Sequence, residues 1–213
     1  FLRCFLTLQC LTTEEAICTW TDSGIPDLNF MNWSSNNTFI SGLYYRALYQ
    51  IALVNEFLRE STESKVSGRG ITGNDATEIK YFRAEARFLR AFQYWVLMDV
   101  YGNPPFVDEN TPIGKFLPSQ IKRTDLFKYI ESELLEVQDL LKAPHSNEYG
   151  RADQAACWAL MARMYLNAEV YTGTKKYTEA ITYASKVIGA GYTLKENFSE
   201  LFMADNNVNN PEV

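Results

Sequence analysis

A run of apolar residues at helical spacing, cut short by a double proline, constrains this chain more than any other feature. Residues 78–114 read EIKYFRAEARFLRAFQYWVLMDVYGNPPFVDENTPIG. Ala84, Phe88, Ala91, Trp95 and Met98 recur every three or four positions and predict one buried stripe; Ile79, Phe82, Ala86 and Leu89 predict a second beside it. An apolar arc this broad needs more than one neighbouring element to cover it. Lys80, Arg83, Arg87 and Arg90 line the remaining side. Because Asp and Glu outnumber Lys and Arg by 26 to 20, pairing with carboxylates of adjacent helices is expected there in preference to phosphate binding. Gly102 ends the helix and Pro104-Pro105 forbids its resumption, so the spacing predicts a scaffold helix from about Ala76 to Tyr101.

The other periodic segments are of the same kind. Leu43, Ala47, Ile51, Val54 and Leu58 predict a helix from Phe39 to Arg59, capped by Asn37 or Thr38. Leu126, Ile130, Leu134, Val137 and Leu141 predict another from Thr124 to Lys142. Two more are expected over Asp153 to Tyr171 and Tyr177 to Ile188, with the end of a helix at Phe1 to Leu11 and a single turn at Phe198 to Met203. Ser61 to Asp75, rich in Gly and Ser, is expected as a mobile connector. No segment alternates at strand period, so the fold class is all-α, in one domain spanning residues 1–213. Trp158, Met161, Ala162 and Tyr165 have the spacing of the first helix of a tetratricopeptide repeat, and Tyr177, Ala180, Ile181 and Ala184 that of the second. The connection between them is about six residues longer than in the standard repeat. The helices over 78–101 and 124–142 would form a more degenerate second pair. An ordinary antiparallel helix pair is the competing reading.

Charge and composition remove several function classes. A net charge of −6 and a pI near 5.0 are the wrong sign for a nucleic-acid binder. Cys4, Cys10, Cys18 and Cys157 lack CxxC spacing and His145 is the single histidine, so no zinc site and no cofactor are expected. A Cys4–Cys10 or Cys10–Cys18 bridge is compatible with the spacing, but free, mostly buried thiols are expected. No run reaches the roughly 18 apolar residues that span a bilayer.

Little in the chain suggests bond-making chemistry. Glu14, Glu15, Asp22 and Asp27 gather around one loop, but a glycosidase needs two carboxylates at a fixed separation, which sequence does not supply. The Asn-rich stretch at 205–210 lacks the Gly and terminal Glu of a calcium loop. The tryptophans divide more usefully. Trp95 and Trp158 sit at core spacing, whereas Trp20 and Trp33 fall in the polar segment 18–37. An exposed indole can stack on the weakly apolar face of a sugar ring while neighbours such as Asp22 and Ser23 bond its hydroxyls. Trp33 is expected to pin the loop, and Trp20 is equally balanced between pinning and binding. A helical-repeat adaptor for peptide or protein, and an α-helical glycosidase, are the alternative functions.

The order of motifs carries a resemblance. Glu85-Ala86-Arg87-Phe88-Leu89-Arg90-Ala91, Tyr94, and Tyr101-Gly102-Asn103-Pro104-Pro105-Phe106 resemble the signature of the SusD/RagB family of Bacteroidetes surface glycan-binding lipoproteins. Gly150-Arg151-Ala152, Leu160-Met161-Ala162-Arg163-Met164-Tyr165-Leu166, Gly191-Tyr192-Thr193-Leu194, Leu201-Phe202 and Glu212-Val213 continue it in order. The resemblance implies a tetratricopeptide-like scaffold and non-catalytic glycan binding at the outer-membrane surface. It also implies transfer of the glycan to a SusC-like TonB-dependent transporter, with a lipid anchor and further binding residues outside these 213 positions. It places a sugar-site arginine and tryptophan at Arg3 and Trp20, with Asp22 or Ser23 as further hydrogen-bond partners. An amide would be expected at Ser23, so the glycan need not be the prototype's. The segment 18–37 is then the ligand-binding loop and 78–114 the central signature.

Overall fold

The computed structural model describes residues 1–114, 117–208 and 210–211. Its helices are α1 (Leu2–Leu11), α2 (Ile25–Asn29), α3 (Thr38–Glu60), α4 (Glu63–Gly68), α5 (Gly73–Tyr101), α6 (Arg123–Val137), α7 (Gln154–Leu166), α8 (Ala168–Thr172) and α9 (Tyr177–Gly189), followed by a short 3₁₀ turn over Phe198–Phe202. The described residues contain no strand, only an isolated antiparallel bridge between Pro105 and Gln120. The all-α expectation therefore holds.

Helix α5 is the organising element. It packs on α3 and α6 and touches α7, while α1 lies on α3 and α7 packs on α9. The first stripe behaves as its spacing requires: Ala84, Phe88, Ala91, Trp95 and Met98 are all buried. The second stripe is only half covered. Ala86 is buried, but Phe82 and Leu89 are exposed, because α3 reaches only one edge of that face.

The basic residues of α5 correct a simple picture of a polar outer side. Arg90 is 2% exposed and lies in the core. It donates to Asn55 Oδ1 at 2.7 Å, to Glu133 Oε2 at 3.0 Å and to Glu109. Both terminal nitrogens are thus matched to acceptors, as burial of the charge demands, while Nε has no partner among the described residues. Burial works against its charge, but the Tyr129, Glu109 and Glu133 side chains outweigh that and raise its pKa. Tyr94 closes the same joint, donating to the Val107 carbonyl at 2.6 Å and accepting from the Val107 amide at 2.8 Å. Arg59 Nε adds a bond to the Glu109 carbonyl at 2.8 Å. The turn after Gly102 is thereby folded back onto α3 and α5, and the signature residues Arg90 and Tyr94 act as scaffold.

Two further boundaries differ from the expectations. Residues 61–75 are mostly helical, contrary to the mobile connector expected. Thr62 Oγ1 accepts from the Lys65 amide to cap α4, Val66 is buried, and Lys65 and Arg69 both bind Glu60. The helix expected over Asp153 to Tyr171 is two helices. Asn167 breaks it, its Nδ2 donating back to the Arg163 carbonyl at 3.1 Å in competition with the ladder. The extra residues of the long repeat connection are thus α8. Helices α7 and α9 still meet as a pair, with the Tyr165 and Tyr183 rings stacked at 5.6 Å and Lys186 Nζ 5.4 Å from the Trp158 ring.

All four cysteines are free, and Cys157 alone is buried. Burial pushes its thiol up to about 12. His145 lies in a left-handed turn and its ring packs at a tilt on Tyr192, with centroids 4.1 Å apart. Glu212-Val213 falls outside the described residues.

Candidate functional site

The segment following α1 is built around Gly24 and Asn37. Gly24 has φ +93°, where a side chain is strained, and a Cβ there would meet Asn37 Nδ2 at 2.9 Å. The two residues are in direct contact because Asn37 Nδ2 donates to the Gly24 carbonyl at 3.0 Å. The other end of the same amide, Oδ1, accepts from the Phe39 amide at 3.0 Å and caps α3. Thr38 Oγ1 donates to the Ser23 carbonyl at 3.0 Å, tying the next residue to the same cap. Pro26 occupies the first turn of α2, where its missing N–H is not needed. Asn29 then spans back to Cys18, accepting from its amide at 3.3 Å and donating to its carbonyl at 2.7 Å. Ile25 and Leu28 are buried beneath. A stretch that reads as a polar loop is therefore a short helix held at three points.

Trp20, Asp22 and Ser23 stand on the outer side of this fold, and α1 presents Arg3 to them. Arg3 Nη2 donates to Asp22 Oδ2 at 2.5 Å. Its guanidinium carbon lies 5.9 Å from the Trp20 ring centroid and 5.5 Å from that of Phe39. Both distances fall within cation–π range. The Trp20 side of this arrangement opens into a shallow cavity of about 250 Å³, walled by Arg3, Leu6, Thr7, Cys10, Cys18 and Trp20. Trp20 is 65% exposed, so its ring does not pin the loop. Arg3 and Asp22 cancel each other's charge, which leaves a neutral site offering guanidinium donors, carboxylate acceptors and an indole face.

Three of the four residues singled out from the sequence, Arg3, Trp20 and Asp22, are brought together. Ser23 is exposed beside them, and its carbonyl is taken up by Thr38. Sequence reasoning missed Phe39, which supports the guanidinium from α3, and the wall from α1. That wall carried a signal: Arg3, Leu6 or Thr7, and Cys10 share one helix face. Trp33, expected to pin the loop, is 43% exposed and lines a separate cavity of about 360 Å³ against Leu8, Ile40 and Tyr101. Among the described residues, no cluster of His, Cys, Asp or Glu could hold a metal ion.

Comparison with known proteins bears on this arrangement. Residues 15–166 match the family described as starch-binding, associating with outer membrane. The chain is 42% identical over 210 residues to the starch-binding protein SusD of Bacteroides thetaiotaomicron, covering 98% of this chain and 36% of that protein. A SusD superfamily protein from Parabacteroides distasonis superposes with a TM-score of 0.75 at 25% identity, over 93% of this chain and 41% of the other. A structure solved with xylogluco-oligosaccharide superposes with a TM-score of 0.77 at 20% identity, over 98% and 41% respectively. The chain spans about a third of the length of the curated relative it matches. With more than half of its length matched by one family and its helices superposing on solved members, the chain belongs to the SusD-like family.

Proposed function

We propose that this chain is part of an outer-membrane, cell-surface protein that binds oligosaccharides or polysaccharides without cleaving them. On this reading it passes them to a SusC-like TonB-dependent transporter and is held at the membrane by a lipid anchor. The observation that carries the binding role is the exposed Trp20 ring beside the Arg3–Asp22 pair. A sugar ring laid on the indole would place its hydroxyls within reach of guanidinium donors and carboxylate acceptors, and the neutral balance of the pair suits an uncharged glycan. The family description and the similarity to a starch-binding protein support the ligand class. Each well-formed hydrogen bond contributes on the order of 1 kcal/mol. Soluble oligosaccharides would then bind weakly, and anchoring beside a transporter would compensate through effective concentration.

Calorimetry against a panel of neutral glycans tests the proposal. Binding of at least one glycan, lost in Trp20→Ala and weakened in Asp22→Asn, is expected, with no change in the glycan after incubation. Binding that Trp20→Ala leaves intact would move the site elsewhere, and any released sugar would make the protein an enzyme.

A further inference from the structure

A cavity of about 540 Å³ lies where α4 folds against the start of α5. Its floor is aliphatic, formed by Val66, Ile71, Ala76 and Ile79. Its rim carries two cations, Arg83 and Lys80, one carboxylate, Glu63, and a set of hydroxyls. The wall has no aromatic ring, so it lacks the flat platform that sugars favour.

The state of Arg83 gives the cavity its chemistry. Arg87 and Arg90 each meet carboxylates, but Arg83 meets none within 4 Å among the described residues. Nη1 donates to the Leu58 carbonyl at 2.7 Å and to Ser61 Oγ at 2.8 Å, both neutral, and Nε and Nη2 have no partner among the described residues. Burial of the guanidinium holds its pKa below the ordinary arginine value. Glu109, which acts on it favourably, already accepts from Arg90. Lys80 has only a loose, exposed contact with Glu63 at 3.4 Å. Glu60, the other carboxylate of this corner, is held by Lys65 and Arg69. Two rim hydroxyls are also unused: Ser67 Oγ and Thr72 Oγ1 make no hydrogen bond among the described residues, and Thr72 stands at the N-cap of α5 without capping it. A half-buried cation with no ion pair among the described residues, beside free hydroxyl donors and above an aliphatic floor, is matched by a carboxylate attached to a short hydrocarbon body.

We infer that the α4–α5 cavity binds a small organic carboxylate with an aliphatic body, its head group on Arg83 and Lys80 and its hydrocarbon on Val66, Ile71 and Ile79. Such a group is presented by a free short-chain acid or by the carboxyl terminus of a peptide ending in an aliphatic residue. The site is independent of the Trp20 site. The two stand at opposite ends of α3, about 33 Å apart from the rise of 22 residues between Phe39 and Ser61.

Titration calorimetry with hexanoate, N-acetyl-leucine and the neutral isostere hexanamide tests this on the whole chain. At least one carboxylate should bind saturably, with hexanamide weaker by about tenfold or more. A response to hexanoate alone assigns the free acid, and a response to N-acetyl-leucine assigns the peptide end. Arg83→Gln should weaken binding by about tenfold. Because Arg83 also ties α5 to the end of α3, Ser67→Asp provides a second variant that leaves that tie intact. Ser67 is exposed, so the fold should be unchanged while a negative charge at the rim repels the ligand. Trp20→Ala should leave carboxylate binding unaltered. The inference is overturned if neither carboxylate binds, if hexanamide binds as well as hexanoate, or if Ser67→Asp has no effect.

Discussion

Arg87 and Glu133 join α5 to α6 through two parallel bonds, Nε to Oε2 at 3.2 Å and Nη2 to Oε1 at 2.7 Å. The same carboxylate also accepts from the core residue Arg90. Removing it in Glu133→Ala strands part of a fully buried cation, which costs about 3 kcal/mol. Glu136 also binds Arg87, but its side chain is 65% exposed, so Glu136→Ala should cost under about 1 kcal/mol. Chemical denaturation of the two variants side by side checks the contrast. Equal losses would mean that the Glu133 contribution lies in packing and not in its burial with Arg90.

The Gly24–Asn37 contact makes a sharper demand on side-chain volume. Gly24→Ala combines a positive φ with a Cβ at 2.9 Å from the amide that caps α3. A loss of about 2 kcal/mol is expected, read as a lower thermal midpoint. Asn37→Ala should cost about 1 kcal/mol through the cap alone. Tryptophan emission from Trp20 should change in both variants, since the loop that carries it is tied to that cap.

Acid should loosen the turn after α5 before the helices. Burial alone would raise the pKa of Asp108, but its hydrogen bonds with Thr111 and Asn110 outweigh that and hold it below the ordinary aspartate value. A carboxylate depressed on folding contributes stability that is present above its unfolded pKa and is lost as pH falls through its folded one. Between about pH 4 and pH 2, amide exchange in residues 107–111 should therefore rise in the native protein. Asp108→Asn should flatten that response. An identical pH dependence in the variant would assign the effect to other carboxylates.

Cys157 should be inert. It is fully buried, and burial pushes its thiol up to about 12, so almost no thiolate forms at pH 8. Iodoacetamide mapped by mass spectrometry should label Cys4, Cys10 and Cys18, all partly exposed, while Cys157 reacts only in denaturant. Labelling of Cys157 in the folded protein would show that α7 opens.

Much of the scaffold was legible in the sequence because helical periodicity reports burial directly. Leu43, Ala47, Ile51, Val54 and Leu58 share a face in any helix, and the structure buries all of them. The misreadings come from residues whose role depends on distant partners. Arg90 looks like one member of a polar stripe, and only Asn55, Glu109 and Glu133, brought in from three other segments, make it a core residue. Residues 61–75 look like a linker by composition, yet Glu60 and Val66 tie α4 in place. At the candidate site, an indole in a polar segment marks Trp20 locally, whereas nothing in residue type or spacing marks Arg3, which only the family resemblance indicates. Phe39 escaped notice because its stripe position gives it a packing role, and its second contact with Arg3 needs three dimensions.

The double use of Asn37 has a consequence for recognition. One amide side chain starts α3 and fastens the loop carrying Trp20. The loop cannot drift without fraying a helix of 23 residues, so its rotational freedom is removed when the scaffold forms. A ligand arriving at Trp20 then meets a fixed surface and loses little free energy in ordering it, which is how a small, shallow contact can discriminate between sugars at all.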